Sequence, residues 1–314
     1  ARRRRPAGES GGLMARLGEA APAVSPRNAI ARARLRASLV PDLLVEARRI
    51  TNTVIAGSDG RRRRGVGENF WQFRPYVEGE TMARIDWRRS ARDDHTYVRD
   101  LEWEAAHTVW LWADPSPSML YKSELGNVSK ESRALVLILA LAELLSRSGE
   151  RIAWPGLTDP FSSRNGAERL AERLHHAARF DARPNLSVVS RYSDIVLAGD
   201  FLDPAEDTIA WLAPLAARGV RAHLIEVSDP AEETFPYVGR TEFLDPETGE
   251  KLTAGRAETL AEDYRRLYLA RREELAAWCG RLGWSYTPSR TDRLASETLV
   301  KVHMAMTASP GGRR

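Results

Sequence analysis

The sequence predicts an α/β fold: a mostly parallel sheet flanked by helices, preceded by a small β-rich module. Three observations predict it. From residue 108 onward, continuous apolar stretches of strand length alternate with amphipathic stretches of helix length. Residues 65–104 are instead dense in aromatics and turn residues, which suits short strands with irregular connections. The 314 residues, 43% hydrophobic and 29% charged, suffice for a large buried core.

Each element has its own signal. Val40–Ile50 places Leu43, Leu44 and Ala47 on one helical side. Gly57-Ser-Asp-Gly60 reads as a turn, followed by the basic knot Arg61–Arg64 and the aromatic module. Thr108–Ala113 is an apolar strand ending at Asp114, and Glu131–Arg147 a strongly periodic helix. Arg151–Leu157 reads as a second strand, Ala167–Arg179 as a helix, and Asp194–Ala198 as a strand running into Gly199-Asp200. Pro204 opens a helix that Gly219 stops. Val220–Val227 is a strand; a hairpin of Arg240–Leu244 and Lys251–Thr253 follows around Pro246–Gly249. A helix over Arg256–Leu282, a strand at Trp284–Thr287 and a short helix complete the chain. The predicted divisions are a basic, disordered tail (1–36), a helix plus β-rich module (37–106) and an α/β domain (107–314).

The net charge of +4 invites a nucleic-acid reading, but its distribution weakens it. Residues 1–36 carry nine Arg against two Glu, and 61–100 carry ten Arg against seven acids, so the remainder is acidic. One cysteine, Cys279, excludes an internal disulfide framework and a multi-cysteine metal site. The Arg cluster at 2–5 leads into Pro6 and Gly8 rather than an apolar segment, so no secretory signal is expected. The most apolar run, Ala134–Leu145, is too short to span a bilayer, which needs about 20 residues. A cytoplasmic protein is the expectation.

The chemistry concentrates at two strand ends. After the first strand comes Asp114-Pro-Ser116-Pro-Ser118, a D-x-S-x-S pattern; after the third comes Gly199-Asp200-Phe-Leu-Asp203. A carboxylate with hydroxyls at +2 and +4, joined by a second carboxylate, gathers hard oxygens suited to Mg²⁺ or Mn²⁺. The alternative is that Asp114 caps a turn and Asp200 caps the helix that Pro204 opens. Catalytic readings of these residues are weaker. A serine-hydrolase elbow needs Gly around the Ser, and here Pro115 and Pro117 flank it. Gly65-Val-Gly67 lacks the third glycine and preceding strand of a nucleotide loop. The histidines show no metal-ligand spacing, and His175-His176 reads as helix surface.

D-x-S-x-S with a distal Asp resembles the metal-ion-dependent adhesion site (MIDAS) of von Willebrand factor A domains. Upstream, Gly67-Glu-Asn-Phe70, Arg74-Pro-Tyr76, Glu78-Gly-Glu80, Arg84-Ile-Asp86-Trp87, Ser90-Ala-Arg92 and Val98-Arg99 follow at short spacing. This string resembles the signature of the family called domain of unknown function 58, whose members carry a von Willebrand A-like, Rossmann-type domain. The resemblance implies Mg²⁺ or Mn²⁺ held by Asp114, Ser116 and Ser118, with Asp200 directly or through water, and an acidic partner side chain in the open position. It also implies a MoxR-type AAA+ ATPase as partner, acting with a client protein. One departure stands out: the family's middle loop offers Thr or Asp, whereas Arg183–Ser187 offers only Asn185 or Ser187. A weak or vestigial metal site is the consequence to expect. Within the aromatic module, Phe73, Tyr76 and Trp87 are expected to pack, with Asp86 pairing Arg84, Arg88 or Arg92 as a structural clamp.

The leading expectation is a non-enzymatic, metal-dependent adaptor that engages an AAA+ ATPase in protein maturation or remodelling. Two alternatives belong to other classes. The Arg-rich tail and Arg61–Arg64 could bind nucleic acid, with affinity falling steeply with salt. A metal-dependent hydrolase is the weaker alternative, since no general base accompanies the aspartates.

Overall fold

The computed structural model describes residues 26–58, 70–76, 87–91, 96–101, 107–177, 180 and 183–308. Residues 1–25, the basic knot at 61–64, and Arg84, Asp86 and Arg92 of the motif lie outside the described residues. The chain divides into two compact units, residues 58–107 and the rest.

In the smaller unit, β1 (Phe70–Pro75) pairs antiparallel with β2 (Tyr97–Leu101), and one turn of helix, α2 (Trp87–Ser90), lies between them in sequence. Arg74 sits on β1 in register with Val98, and Tyr76 extends the ladder by donating its N–H to the Thr96 carbonyl at 2.7 Å. Tyr76 is half-buried. Trp87 departs from the expected packing and is 63% exposed. Ser90, not Trp87, faces β2 on this short turn: its hydroxyl accepts the Tyr97 N–H at 2.9 Å.

The larger unit holds a six-stranded sheet of β3 (Thr108–Ala113), β4 (Arg151–Trp154), β5 (Thr158–Phe161), β6 (Asp194–Gly199), β7 (Arg221–Ser228) and β10 (Ser285–Arg290). Its order is β10-β7-β6-β3-β4-β5, parallel except for β5. Strand β5 is an addition to the sequence reading. Pro155 and Gly156, at φ 76°, break the predicted strand over 151–157, and the chain returns antiparallel along the edge. An edge strand tolerates Pro160, which cannot donate to a central ladder. Pro288 lies in β10 at the opposite edge.

The helices are α3 (Lys130–Arg147), α4 (Gly166–His176), α5 (Ala205–Ala216), α6 (Pro230–Thr234), α7 (Ala261–Arg281) and α8 (Ala295–Thr307). Residues Ala134–Leu145 of α3 are buried around the whole helix circumference, which makes this helix part of the core rather than a cover. Residues 143–146 still include polar side chains, and Glu143 pairs with Arg147 at 2.7 Å. The Cys279 thiol on α7 is buried, and burial pushes its pKa up to about 12, so it acts as packing.

The first helix is longer than the predicted Val40–Ile50. Helix α1 runs Pro26–Ser58, and its residues up to Gly57 belong to the α/β unit. Its Val40, Leu43 and Ala47 join the core, and the Thr51 hydroxyl donates to the Ala140 carbonyl at 3.1 Å. Arg48 pairs with Glu168, and Arg147 donates to Asn52 at 2.8 Å. An apolar stripe on α1 needs a large apolar partner, and α3 supplies it. The remaining differences are shorter or split ends: a 3₁₀ turn, Ala257–Leu260, precedes α7. Among the described residues, no helix is long and apolar enough to cross a membrane.

This topology fixes where a site can form. The chain leaves β3 for β4 on one side, then crosses to β6 on the other, so strand order reverses between β3 and β6. Open parallel sheets bind ligands in the crevice beyond the carboxyl ends at such a point. Asp114 follows β3 and Asp200 follows β6.

Candidate metal centre

Asp114 is held by the ladder itself, since its N–H donates to the Ala198 carbonyl at 2.8 Å. Its Oδ1 accepts the Ser116 N–H at 2.8 Å, closing an Asx turn. Pro117 then starts a 3₁₀ turn, Pro117–Leu120, anchored by the fully buried Met119. Proline disfavours helical backbone in the residue before it, and Ser116 is extended at φ −61°, ψ 154°. The turn brings the Ser116 and Ser118 hydroxyl oxygens to 3.0 Å from each other.

Across the crevice, Gly199 leaves room for the Asp114 carboxylate; a Cβ there would lie 3.2 Å from Asp114 Oδ2. Asp200 follows, and Phe201 takes a left-handed φ of 47° to turn the chain away. Asp200 Oδ1 accepts the Leu202 N–H at 3.3 Å, and the Ser118 hydroxyl helps hold the same carboxyl below its ordinary range. Asp200 does not cap α5: Pro204 holds the cap position without a side-chain bond. The turn-capping alternative therefore holds for Asp114, alongside its place in the cluster, and not for Asp200.

Asp114, Ser116, Ser118 and Asp200 thus meet at one place. The middle loop does not join them: Asn185 Oδ1 accepts the Ser187 N–H at 2.9 Å, capping its own 3₁₀ turn. His175 and His176 are exposed at the end of α4, as expected.

A buried cation, missed from sequence, stands behind Asp200. Lys130, fully buried at the start of α3, donates to Asp200 Oδ2 at 2.8 Å and to Glu232 Oε1 at 2.5 Å. Burial alone would lower the Lys130 pKa, but the two carboxylates outweigh it and hold the ammonium above its ordinary range. Burial likewise pushes the Asp200 carboxyl up, and Lys130 overcomes this to hold it below the usual carboxylate range. Asp114 has no such compensation. Burial first, then the charge of Asp200, raise its pKa to about 7, against the bonds from Ser116.

The rest of the crevice rim is tied by ion pairs from α7. Arg271 donates to the Asp200 carbonyl at 3.2 Å, to the Phe201 carbonyl, and to Glu226 at 2.9 Å. Arg272 reaches Glu226 at 2.7 Å and Glu233 at 2.6 Å. These bonds fix the backbone that presents Asp200. On the facing loop, buried Asp229 accepts the Ser123 N–H at 3.0 Å and hydroxyl at 2.5 Å, and caps α6 through the Ala231 N–H. Gly126 packs directly on it: a Cβ there would lie 2.4 Å from Asp229 Oδ2. Gly126→Ala is expected to cost about 1–3 kcal/mol, read as a lower urea midpoint at unchanged slope.

The donor set fits a small hard cation. An octahedron with bonds of about 2.1 Å has edges of about 3 Å, the separation of the two hydroxyls. Asp114 is a carboxylate whose ionisation the fold disfavours and a cation would favour. Asp200 is held on one oxygen by Lys130, which leaves its other oxygen toward the Leu202 N–H. Among the described residues no group of three or more His, Cys, Asp or Glu could hold a metal ion, so any cation here would depend on the serine hydroxyls.

A family model described as "Protein of unknown function DUF58" matches residues 72–274. The chain belongs to this family. The matched span runs from β1 into α7 and includes both strand-end loops, Lys130 and the Arg271–Arg272 pair. The uncharacterized protein Rv1480 of Mycobacterium tuberculosis is 28% identical to this DUF58 chain over 250 residues, which is 73% of this chain and 76% of that protein. The uncharacterized protein Mb1516 of Mycobacterium bovis gives the same identity and coverage. No solved structure matches this DUF58 chain.

Proposed function

We propose that this DUF58 chain is a non-enzymatic, cytoplasmic interaction module with a von Willebrand A-like domain. In this reading Asp114, Ser116 and Ser118 would hold Mg²⁺ or Mn²⁺, with Asp200 directly or through water, as in a MIDAS site. Its partner is a MoxR-type AAA+ ATPase, with which it serves a client protein in maturation or remodelling. The observation that carries the reading is the meeting of these four residues at the sheet's switch point, with the serine hydroxyls 3.0 Å apart.

When bound, the cation supplies a centre with an exchangeable position that a partner carboxylate can fill. The chain's own residues do the rest. The Asx turn aims the two hydroxyls, and Lys130 keeps Asp200 ionised while cancelling part of the buried negative charge. The acidic α/β body suits a cation better than a phosphate backbone. The ATPase partner rests on the motif string from Gly67 to Arg99 alone.

A tagged pull-down of the full chain in Mg²⁺-containing buffer, read by mass spectrometry, tests the reading. The wild type is expected to retain an AAA+ ATPase, and Asp114→Ala to lose at least about tenfold of it. Equal retention by the variant would sink the metal-bridged mechanism.

A further inference from the structure

The hairpin of β8 (Thr241–Leu244) and β9 (Lys251–Ala254) is a two-stranded sheet separate from the main one. Its tip carries a third carboxylate to the crevice: Glu247 Oε1 accepts the Ser118 N–H at 3.1 Å, across 129 residues of sequence. The tip is built to do this. Asp245, 8% exposed, accepts the Glu247 N–H at 2.8 Å and the Thr248 hydroxyl at 2.7 Å, and its carbonyl accepts the Gly249 N–H at 2.8 Å. Gly249 closes the turn at φ 77°, a left-handed value that favours glycine.

The base is anchored separately. Phe235, Tyr237 and Phe243 pack ring on ring, and the Tyr237 and Tyr121 hydroxyls lie 2.6 Å apart. Between base and tip the strands are largely exposed, and a lone hairpin of this length is marginally stable in water. The placement of Glu247 is electrostatically costly by itself, because it adds a negative charge near Asp114. A divalent cation turns that repulsion into attraction.

We propose that Glu247 is the acidic ligand this chain supplies to its own cation, and that the β8–β9 hairpin is the arm that brings it there. The proposal rests on the cation reading of the Asp114–Asp200 site. A partner's carboxylate must then displace Glu247, and the hairpin gates the site.

The test uses the full chain and Mn²⁺ as probe, with affinity from calorimetry and amide exchange over residues 241–254. In the wild type, saturating Mn²⁺ is expected to slow exchange at the tip about tenfold or more. Glu247→Gln is expected to weaken Mn²⁺ binding at least about tenfold and to leave tip exchange insensitive to the ion. Glu242→Gln, on the same hairpin and paired with exposed Lys251, is expected to behave as the wild type. Tight Mn²⁺ binding unchanged by Glu247→Gln overturns the role of Glu247 and leaves the cation site standing. No Mn²⁺ binding by the wild type overturns both.

Discussion

Lys130→Met is expected to destabilise the protein by about 3–5 kcal/mol, the usual consequence of removing one partner from a buried ion pair. Methionine keeps most of the aliphatic stem in the core but removes the ammonium that faces both Asp200 and Glu232. The Asp200 and Glu232 carboxylates would then face each other without the ammonium between them, leaving Arg271 as the counter-charge to Asp200. The start of α3 would lose its tie to the β6 and β7 ends. Urea unfolding at pH 7.5 measures the loss. Asp200→Asn with Glu232→Gln in the Lys130→Met background should recover part of it, because the uncompensated charges are then gone. A loss under about 1 kcal/mol for Lys130→Met would mean that Lys130 is not the charge that organises the crevice.

The two aspartates of the site should respond to neutralisation with opposite signs. Asp114 ionises in the fold only near pH 7, against an ordinary 3.8, because burial and then Asp200 oppose its charge. Between roughly pH 4 and 7 the folded chain therefore holds a proton here that the unfolded chain releases. The stability from this proton is present at low pH and lost as pH rises through that window. Without divalent cation at pH 8, Asp114→Asn should therefore stabilise the fold, on the order of 2 kcal/mol once solvent at this half-buried site is allowed for. Asp200 is the reverse case: Lys130 holds it below the ordinary range despite burial. Its contribution is present above about pH 4 and lost as pH falls below that. Asp200→Asn should cost about 1–3 kcal/mol at pH 8, since Lys130 keeps only Glu232. Thermal unfolding of both variants in chelator-treated buffer checks the signs. Two changes of the same sign would contradict the charge arrangement.

Much of this was legible in the sequence because parallel strands buried on both faces read as unbroken apolar text. Thr108–Ala113 and Asp194–Gly199 carry that signal and end in the aspartates. Strand β5 was not legible: Thr158-Asp-Pro-Phe161 has neither alternation nor an apolar run, because edge strands are half exposed and tolerate proline. The place of α1 was hidden because periodicity shows an apolar stripe without naming its partner. Within the site, D-x-S-x-S and Asp200 could be found by pattern. Lys130, Glu232 and Glu247 could not, since their contacts span between 70 and 129 residues. One signal did exist: Lys130 is among only four lysines in an Arg-rich chain and stands at the start of the helix after the serine loop. The expected packing of Trp87 failed because aromatic density in a module does not say which rings face inward.

The central claim is that Asp114, Ser116, Ser118 and Asp200 form one cation site, and calorimetric titration of the chelator-treated full chain with Mn²⁺ tests it most directly. The account predicts one ion per chain, with binding weakened about a hundredfold or more by Asp114→Asn and at least about tenfold by Ser116→Ala with Ser118→Ala. Absence of stoichiometric binding by the wild type, or binding indifferent to both variants, would contradict it.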